Sequence, residues 1–264
     1  MKTRIFTGVI CGLVLIAAVI VLDPLVIAGI AALASLMGLY EFYKVTEVSE
    51  NLPFVILGFI GGAGVTLCNL FFSEFFSAFI SIWFLLIFIT LLMFHEKTEL
   101  TQAALTVFSV FYIPFLFSFI PLVMMLEGGR FLIWFVILGA YATDTFAYFT
   151  GVFLGKHKLC PKVSPKKTIE GAIGGTLGCG IIFVLIALLF NNVWHTDFSI
   201  WQVFVLGIIS ALLAQLGDLS ASIIKRKFGT KDYGTLFPGH GGIMDRCDSL
   251  IFVAPLIYFL FYIL

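Results

Sequence analysis

The sequence predicts an all-α membrane protein, a polytopic transmembrane helical bundle of about nine spanning helices with a cytoplasmic N-terminus. Hydrophobic residues make up 61% of the 264 residues and charged residues only 11%, whereas soluble domains carry roughly 25% charged residues. The apolar residues fall into nine long stretches, and nearly all lysines and arginines fall into alternate connecting segments. A chain of this composition cannot cover a soluble surface, so we expect lipid as its solvent.

The spans follow from stretches of about 20 mostly apolar residues. We interpret the first as an uncleaved helix and not as a signal peptide, because it is long enough to span and further spans follow. Asp23-Pro24 predicts a tight hairpin between the first two helices, and Pro114 with Pro121 predicts a kink in the fifth. The predicted spans are 5–22, 24–41, 53–72, 75–94, 100–126, 131–154, 171–191, 200–222 and 247–264. Close helix packing is predicted by glycines four residues apart, Gly58/Gly62, Gly171/Gly175 and Gly174/Gly178.

The distribution of cations sets the orientation, because lysine and arginine are enriched in cytoplasmic loops. With the N-terminus inside, fourteen of the fifteen cations fall in inner segments, and Arg130 alone falls outside. Two inner loops, 155–170 and 223–246, are long and rich in charge, Gly and Pro, and loops of this kind usually carry function. We therefore divide the chain into an N-terminal transmembrane scaffold, 1–128, and a C-terminal catalytic region, 129–264.

Two carboxylates, Asp144 and Asp218, lie inside predicted spans and away from the first and last two residues of those spans. A charge at the bilayer centre costs roughly 2.5–3.5 kcal/mol on insertion scales, so such an acid indicates a functional site, with packing against helix partners as the other interpretation. Gln215, Asp218, Ser222 and Lys225 fall on one face of the eighth helix. Asp218 is about 10 Å along the helix from Lys225, which predicts that soluble ligands reach it from the cytoplasm.

The last inner loop ends in a dense polar cluster that begins at His240 and contains Asp245 and Asp248. These two acids are three residues apart at a predicted helix start, where the helix dipole favours one of them as a cap. Acids from separate helices at one depth are also hard oxygen ligands of the kind that suits Mg²⁺, which usually takes one or two carboxylates together with substrate phosphates.

Cations accompany these acids in both inner loops. Lys166 and Lys167 precede a glycine-rich helix start at Gly171, where backbone N–H groups and two ammonium groups would suit a polyphosphate. The alternative is that the inner lysines serve only topology and attraction to anionic lipid. The chain lacks the P-loop and Rossmann glycine patterns, which excludes those nucleotide-binding folds.

The C-terminal motif reads Ser222-Ile-Ile-Lys225-Arg226, then Lys231-Asp-Tyr-Gly, then Phe-Pro-Gly-His240-Gly-Gly-Ile-Met-Asp245-Arg246-Cys-Asp248. This motif resembles the signature of the phosphatidate cytidylyltransferases, also called CDP-diglyceride synthases. Three upstream segments resemble the same family. They are Asp144-Thr-Phe-Ala-Tyr, Ser164-Pro-Lys166-Lys167-Thr168-x-Glu170-Gly and Gly-Asp218. The motifs cover roughly residues 130–264, and length and span number extend the likeness to the whole chain.

The resemblance implies transfer of a cytidylyl group from CTP to phosphatidic acid, which gives CDP-diacylglycerol and diphosphate at the cytoplasmic interface. It implies Asp218 and Asp245 as ligands of Mg²⁺, with Asp144 and Asp248 as further ligands or orienting groups, and a second cation stays open. The expected catalytic residues are Asp218, Asp245, Lys225, Arg226, Lys231, His240 and Arg246. The expected substrate-binding residues are Ser164, Lys166, Lys167, Thr168, Glu170 and Ser222.

Two other functions are compatible with part of this pattern. A CTP-dependent polyprenol kinase would keep acids and lysines without the full C-terminal motif. An ion-coupled transporter would use Asp144 and Asp218 near the midplane and often shows inverted repeats, which are not visible here. We expect a bacterial inner membrane and no nucleic-acid partner, and the oligomeric state is open, with a homodimer as one arrangement.

Overall fold

The chain folds as an all-α bundle of long apolar helices, as predicted. A computed structural model describes residues 2–46, 48–236 and 241–263, with side chains described from residue 12 onward. Within these residues, seven helical segments are long and apolar enough to cross a membrane, and they coincide with predicted spans two to eight. The first and last predicted spans coincide with shorter apolar segments, Gly12–Val21 and Leu250–Ile263. The count of nine spans and the N-terminal orientation therefore stay predictions.

The outer surfaces of the helices are apolar. The helix Phe76–Met93 buries only Trp83 and Ile87, and side chains such as Leu85, Phe88 and Leu92 are exposed. Contiguous apolar surface of this kind is rare on soluble monomers. Together with the seven long apolar helices, it identifies an integral membrane protein.

The structure divides into two compact units, of which the first comprises Met1–Met125 and Phe228–Arg246. Its helices are α1 (Lys2–Val21), α2 (Pro24–Val45), α3 (Leu52–Phe71), α4 (Phe76–Met93), α5 (Leu100–Val110) and α6 (Leu116–Met125). Two residues separate α1 from α2, and the Asp23 side chain caps α2 by accepting the N–H of Leu25, with Pro24 in the first turn. The tight packing of α1 on α2 stays a prediction. A π-helical turn, Phe111–Phe115, joins α5 to α6 at Pro114, where the proline cannot donate an N–H to the helix.

The second unit comprises Leu126–Lys227 and Cys247–Leu264. Its elements are α7 (Gly129–Leu154), β1 (Lys158–Cys160), β2 (Ser164–Thr168), α8 (Ile169–Trp194), α9 (Ile200–Lys227) and α11 (Leu250–Ile263), and the short helix α10 (Met244–Cys247) spans the boundary between the units. Helices α7, α8 and α9 pack on one another, and α11 packs on α7 and α9.

The two segments predicted as long inner loops contain more regular structure than expected. The segment predicted as loop 155–170 contains the antiparallel hairpin β1–β2, and α8 begins before Gly171. The segment predicted as loop 223–246 is helical up to Lys227, because three basic residues in the last turn of α9 favour the negative end of the helix dipole. The division at residue 128 stays a functional prediction, and the compact units group Phe228–Arg246 with the N-terminal helices.

Candidate active site

A cavity of about 410 Å³ opens in the second unit between α7, the β1–β2 hairpin, α8 and α9. Three lysines and one carboxylate are among the groups that line it, along with backbone at two glycines. The lining residues that matter below are Asp144, Tyr148, Gly151, Lys158, Lys166, Lys167, Thr168, Gly171 and Gln215. The sequence-predicted acid of α7 and the predicted basic segment before α8 therefore line one cavity.

The hairpin holds its lysines at the cavity through bonds at its base. Lys158 pairs with Thr168 across the two strands, and the Thr168 hydroxyl caps α8 by accepting the N–H of Gly171 at 3.1 Å. The Glu170 carboxylate contacts His157 Nδ1 at 2.6 Å and accepts the backbone N–H of Lys156 at 3.1 Å. Glu170, predicted to bind substrate, thus makes bonds that anchor the start of the hairpin.

Glycines allow α7 and α8 to approach closely at the cavity. A side chain at Gly171 would come within 2.7 Å of the Ala147 carbonyl oxygen, and one at Gly175 within 2.8 Å of the Thr143 carbonyl oxygen. A side chain at Gly174 would overlap Thr150. The close packing that the glycine spacing predicts is confirmed here, and it brings the start of α8 beside Asp144 and its neighbours on α7.

Asp218 on α9 forms an ion pair with Lys167 of β2. The two side chains are about equally exposed, 26% for Asp218 and 27% for Lys167, so the pair is half-buried. One turn earlier, Gln215 Nε2 donates to Thr176 Oγ1 at 3.0 Å and lines the cavity. The helical face predicted for α9 is therefore the face turned towards α8 and the hairpin.

Acidic groups lie close together in this unit. Asp248 is 6% exposed, and its carboxylate is within electrostatic range of Asp218, Asp144 and Lys225. Gly217 permits this approach, because a side chain there would overlap the Asp248 carbonyl. Lys225 is itself only 8% exposed and supplies one compensating positive charge.

A divalent cation at these carboxylates stays a prediction. Asp248 is within electrostatic range of two other acids, Asp218 and Asp144, and carboxylate oxygens are ligands that suit Mg²⁺, which needs only one or two of them besides substrate phosphates. Within the described part of the chain, no three acidic, His or Cys side chains already converge to hold one ion. Joint ligation by Asp218 and Asp245, which belong to different compact units, stays a prediction.

Asp245 lies in the first unit and holds the chain around it. Its Oδ2 accepts the backbone N–H of Tyr233 at 2.8 Å and that of Gly242 at 2.9 Å. Lys231 and Arg246 are exposed in the same unit, and His240 lies outside the described residues.

The remaining predicted groups lie in the second unit. Ser164 begins β2, Ser222 is half-buried on α9, and Arg226 Nε donates to the Val163 carbonyl at 3.3 Å. Arg226 therefore ties the end of α9 to the turn of the hairpin. Whether these groups touch substrate stays a prediction.

Sequence reasoning missed Glu41, a buried acid of the first unit. Its carboxylate accepts the backbone N–H groups of Ile243 and Met244, which directly precede Asp245. A signal was present, since Glu41 is an acid close to the C-terminal end of an apolar helix, where the dipole disfavours it.

Comparison with known proteins came to the same family as the motifs. The model of the Cytidylyltransferase family matches residues 2–264. The phosphatidate cytidylyltransferase of Staphylococcus haemolyticus is 33% identical over 264 residues, which is 97% of each chain. That of Staphylococcus saprophyticus is 41% identical over 61% of this chain and 60% of its own length. That of Staphylococcus epidermidis is 47% identical over 50% of this chain and 48% of its own. In the last two matches the chain spans less than two thirds of the relative.

Proposed function

The chain belongs to the Cytidylyltransferase family, and from this premise we propose that it transfers the cytidylyl group of CTP to phosphatidic acid. The products are CDP-diacylglycerol and diphosphate. One substrate is a membrane lipid with a phosphate head, and the other is a soluble polyphosphate. An enzyme embedded in the bilayer with a lysine-lined cavity in a helical unit is suited to meet both.

The observation that carries the proposal is the cavity between α7, the hairpin and α8. Lys158, Lys166 and Lys167 line it, and the N-terminal backbone of α8 at Gly171 borders it. Ammonium groups and the positive end of a helix dipole are the usual partners of phosphate oxygens. Asp144 and Asp218 stand beside these cations and suit a metal-bound polyphosphate better than a bare anion.

The reaction is an in-line substitution at the α-phosphorus of CTP. An oxygen of the phosphatidate monoester forms the new P–O bond, and the bond from the α-phosphorus to the bridging oxygen breaks. Its electron pair leaves with diphosphate. Because the monoester is already anionic, the step needs no strong base, and catalysis consists mainly of positioning and charge neutralisation.

The residues take roles that follow from their chemistry. Lys166 and Lys167 neutralise the triphosphate, and Lys225, Arg226 and Lys231 neutralise further phosphate charge. Asp218 and Asp245 would hold Mg²⁺, with Asp144 and Asp248 as further ligands or orienting groups. When bound, the metal supplies charge neutralisation and a template for the phosphates. Ser164, Thr168, Glu170 and Ser222 orient substrate or the loops that bind it, and His240 and Arg246 complete the C-terminal motif.

The site faces the cytoplasm in this proposal. Support comes from the cation bias of the sequence and from the hairpin and the end of α9, which carry most of the lysines. Single cysteines at positions 162 and 230, in a background without other cysteines, test the orientation in intact cells. We expect labelling only by a membrane-permeant maleimide, and labelling by an impermeant one would reverse the orientation.

The function is tested with purified protein, labelled CTP and phosphatidic acid, with and without Mg²⁺. We expect lipid-soluble CDP-diacylglycerol and equimolar diphosphate, both dependent on phosphatidic acid. Polyprenol offered in place of phosphatidic acid should give no product, and phosphorylated polyprenol would indicate a kinase instead. Ion flux through sealed proteoliposomes without CTP would indicate a transporter.

A further inference from the structure

Glu41 is the buried acid of the N-terminal helices that the proposed reaction does not use. It lies near the end of α2 and is 8% exposed. Its Oε1 accepts the N–H of Ile243 at 3.0 Å, and its Oε2 accepts the N–H of Met244 at 3.1 Å. Both oxygens of one carboxylate thus bind consecutive amides about two hundred residues away along the chain.

The local helix gives no reason for an acid at this position. A negative charge near the C-terminal end of a helix is disfavoured by the dipole, and removal of a carboxylate from water is costly unless it is hydrogen-bonded. Hydrogen bonds to a charged acceptor are stronger than bonds between neutral groups. The hydrogen bonds from the two amides therefore explain why a carboxylate is tolerated at this buried position. The carboxylate in turn fixes the backbone of Ile243 and Met244.

The glycines around these amides fit the same explanation. Gly241 needs its backbone freedom because its φ is 82°. Gly242 and Gly234 are not among the described glycines with positive φ, yet a side chain at either would overlap the Glu41 carboxylate. These two positions lack side chains because Glu41 approaches them closely.

A second carboxylate and a ring contact complete the arrangement. Asp245 Oδ2 accepts the N–H groups of Gly242 and Tyr233, so the segments 233–234 and 242–245 are held by Glu41 and Asp245 together. The Tyr233 ring stacks on Phe42, the neighbour of Glu41, with centroids 6.3 Å apart. The end of α2 therefore contacts two parts of the C-terminal motif, one at Tyr233 and one at Ile243 and Met244.

We propose that Glu41 is a positioning residue, which holds the backbone of residues 242–244 so that Asp245 and Arg246 keep the orientation that catalysis needs. It acts through the motif and contacts no reacting atom. The inference rests on the proposed function for its activity readout, and it has a second readout that does not depend on activity.

The experiment compares Glu41→Ala and Glu41→Gln with the exposed control Glu50→Ala in the full-length protein. Hydrogen exchange is followed in peptides that cover residues 241–246. Loss of two bonds to a charged acceptor should speed exchange there by on the order of tenfold or more. Glu41→Gln, which keeps one acceptor, should lie between wild type and Glu41→Ala, and Glu50→Ala should match wild type.

Kinetics separate positioning from a general loss of structure. Turnover per folded molecule at saturating CTP and phosphatidic acid should fall at least about tenfold in Glu41→Ala, with the KM for CTP changed less than about threefold. Unchanged turnover per folded molecule, or faster exchange spread over all of the N-terminal helices, overturns the proposal. If wild type makes no CDP-diacylglycerol, the proposed function fails, and the exchange data still decide whether Glu41 holds these amides.

A double-mutant cycle with Gly242→Ala tests the contact itself. Alone, the new methyl group should displace the carboxylate and lower turnover. In the Glu41→Ala background the three atoms nearest to the methyl are removed, so it should cost less, and the two effects should be clearly non-additive. Additive effects would refute the contact.

Discussion

Asp218→Asn is the substitution that best separates a catalytic from a structural role of the Lys167–Asp218 ion pair. Asparagine keeps the size and hydrogen-bonding capacity of the side chain and removes the charge that would bind Mg²⁺. The partner substitution Lys167→Met removes the other charge. The two single variants and the double variant form a cycle in which structural and catalytic roles give opposite results.

The structural cost can be bounded from the burial of the pair. Exposed ion pairs contribute about 0–1 kcal/mol, and breaking a buried pair costs about 3–5 kcal/mol. With 26% and 27% of the two side chains exposed, we expect a loss of stability between these limits, about 1–2 kcal/mol for either single variant. Removal of a preorganised charge-stabilising group from an active site typically costs about 100- to 1000-fold in turnover, or about 2.7–4 kcal/mol.

The assay measures turnover per folded molecule and thermal midpoint across a Mg²⁺ titration, with Mn²⁺ as a second metal. We expect both single variants to remain folded with turnover at least about 100-fold lower. The double variant should regain stability, because no unpaired charge is left. Its turnover should be no higher than that of the less active single variant. Added metal should partly restore Asp218→Asn and leave Lys167→Met unchanged.

Two results would refute this reasoning. Near-wild-type turnover in Asp218→Asn would remove Asp218 from the metal site. Recovery of turnover along with stability in the double variant would show that the ion pair is purely structural.

Three further predictions concern other parts of the second unit. Lys166→Ala should raise the CTP concentration needed for half-maximal rate by about tenfold and leave the thermal midpoint unchanged, because the exposed ammonium group lines the cavity. Unchanged kinetics at limiting CTP would mean that Lys166 serves only to orient the chain in the membrane. Lys225→Met should lower stability in thermal denaturation, because the buried Asp248 would lose a nearby compensating cation. Gly174→Leu should lower the thermal midpoint, because the new side chain would force α7 and α8 apart. The control Gly29→Leu should leave the midpoint unchanged, because the space around Gly29 is open. Equal effects would contradict the close packing of α7 on α8 at Gly174.

The C-terminal cavity could largely be anticipated from local patterns. The helical spacing from Gln215 to Lys225 predicts one face of α9, and the glycines at the start of α8 predict its close approach to α7. Periodicity and residue size are local properties that extend over a few residues, so they can be recognised in the sequence without knowledge of the fold. The hairpin was not predicted, because three- and five-residue strands that contain lysine and proline carry no strand periodicity.

The contacts that organise the first unit could not be anticipated in the same way. Nothing near Glu41 in the sequence indicates that its partners are Ile243 and Met244. Nor does the motif itself explain why Gly242 lacks a side chain, since the reason is a carboxylate from α2. Such pairings depend on which segments pack against one another, and this is decided only when the chain folds.

The amino-acid sequence by itself determined the membrane environment, the helical fold, the family and the identity of the acids and cations that suit phosphate chemistry. Composition, helical period and residue type suffice for these, because transfer free energies and charge belong to the residues themselves. Only the tertiary structure decided that Lys167 pairs with Asp218, that Asp144 and the hairpin lysines share a cavity, and that Glu41 holds the backbone before Asp245. Hydrogen bonds and ion pairs act over a few ångströms, so they exist only once packing has brought distant segments together.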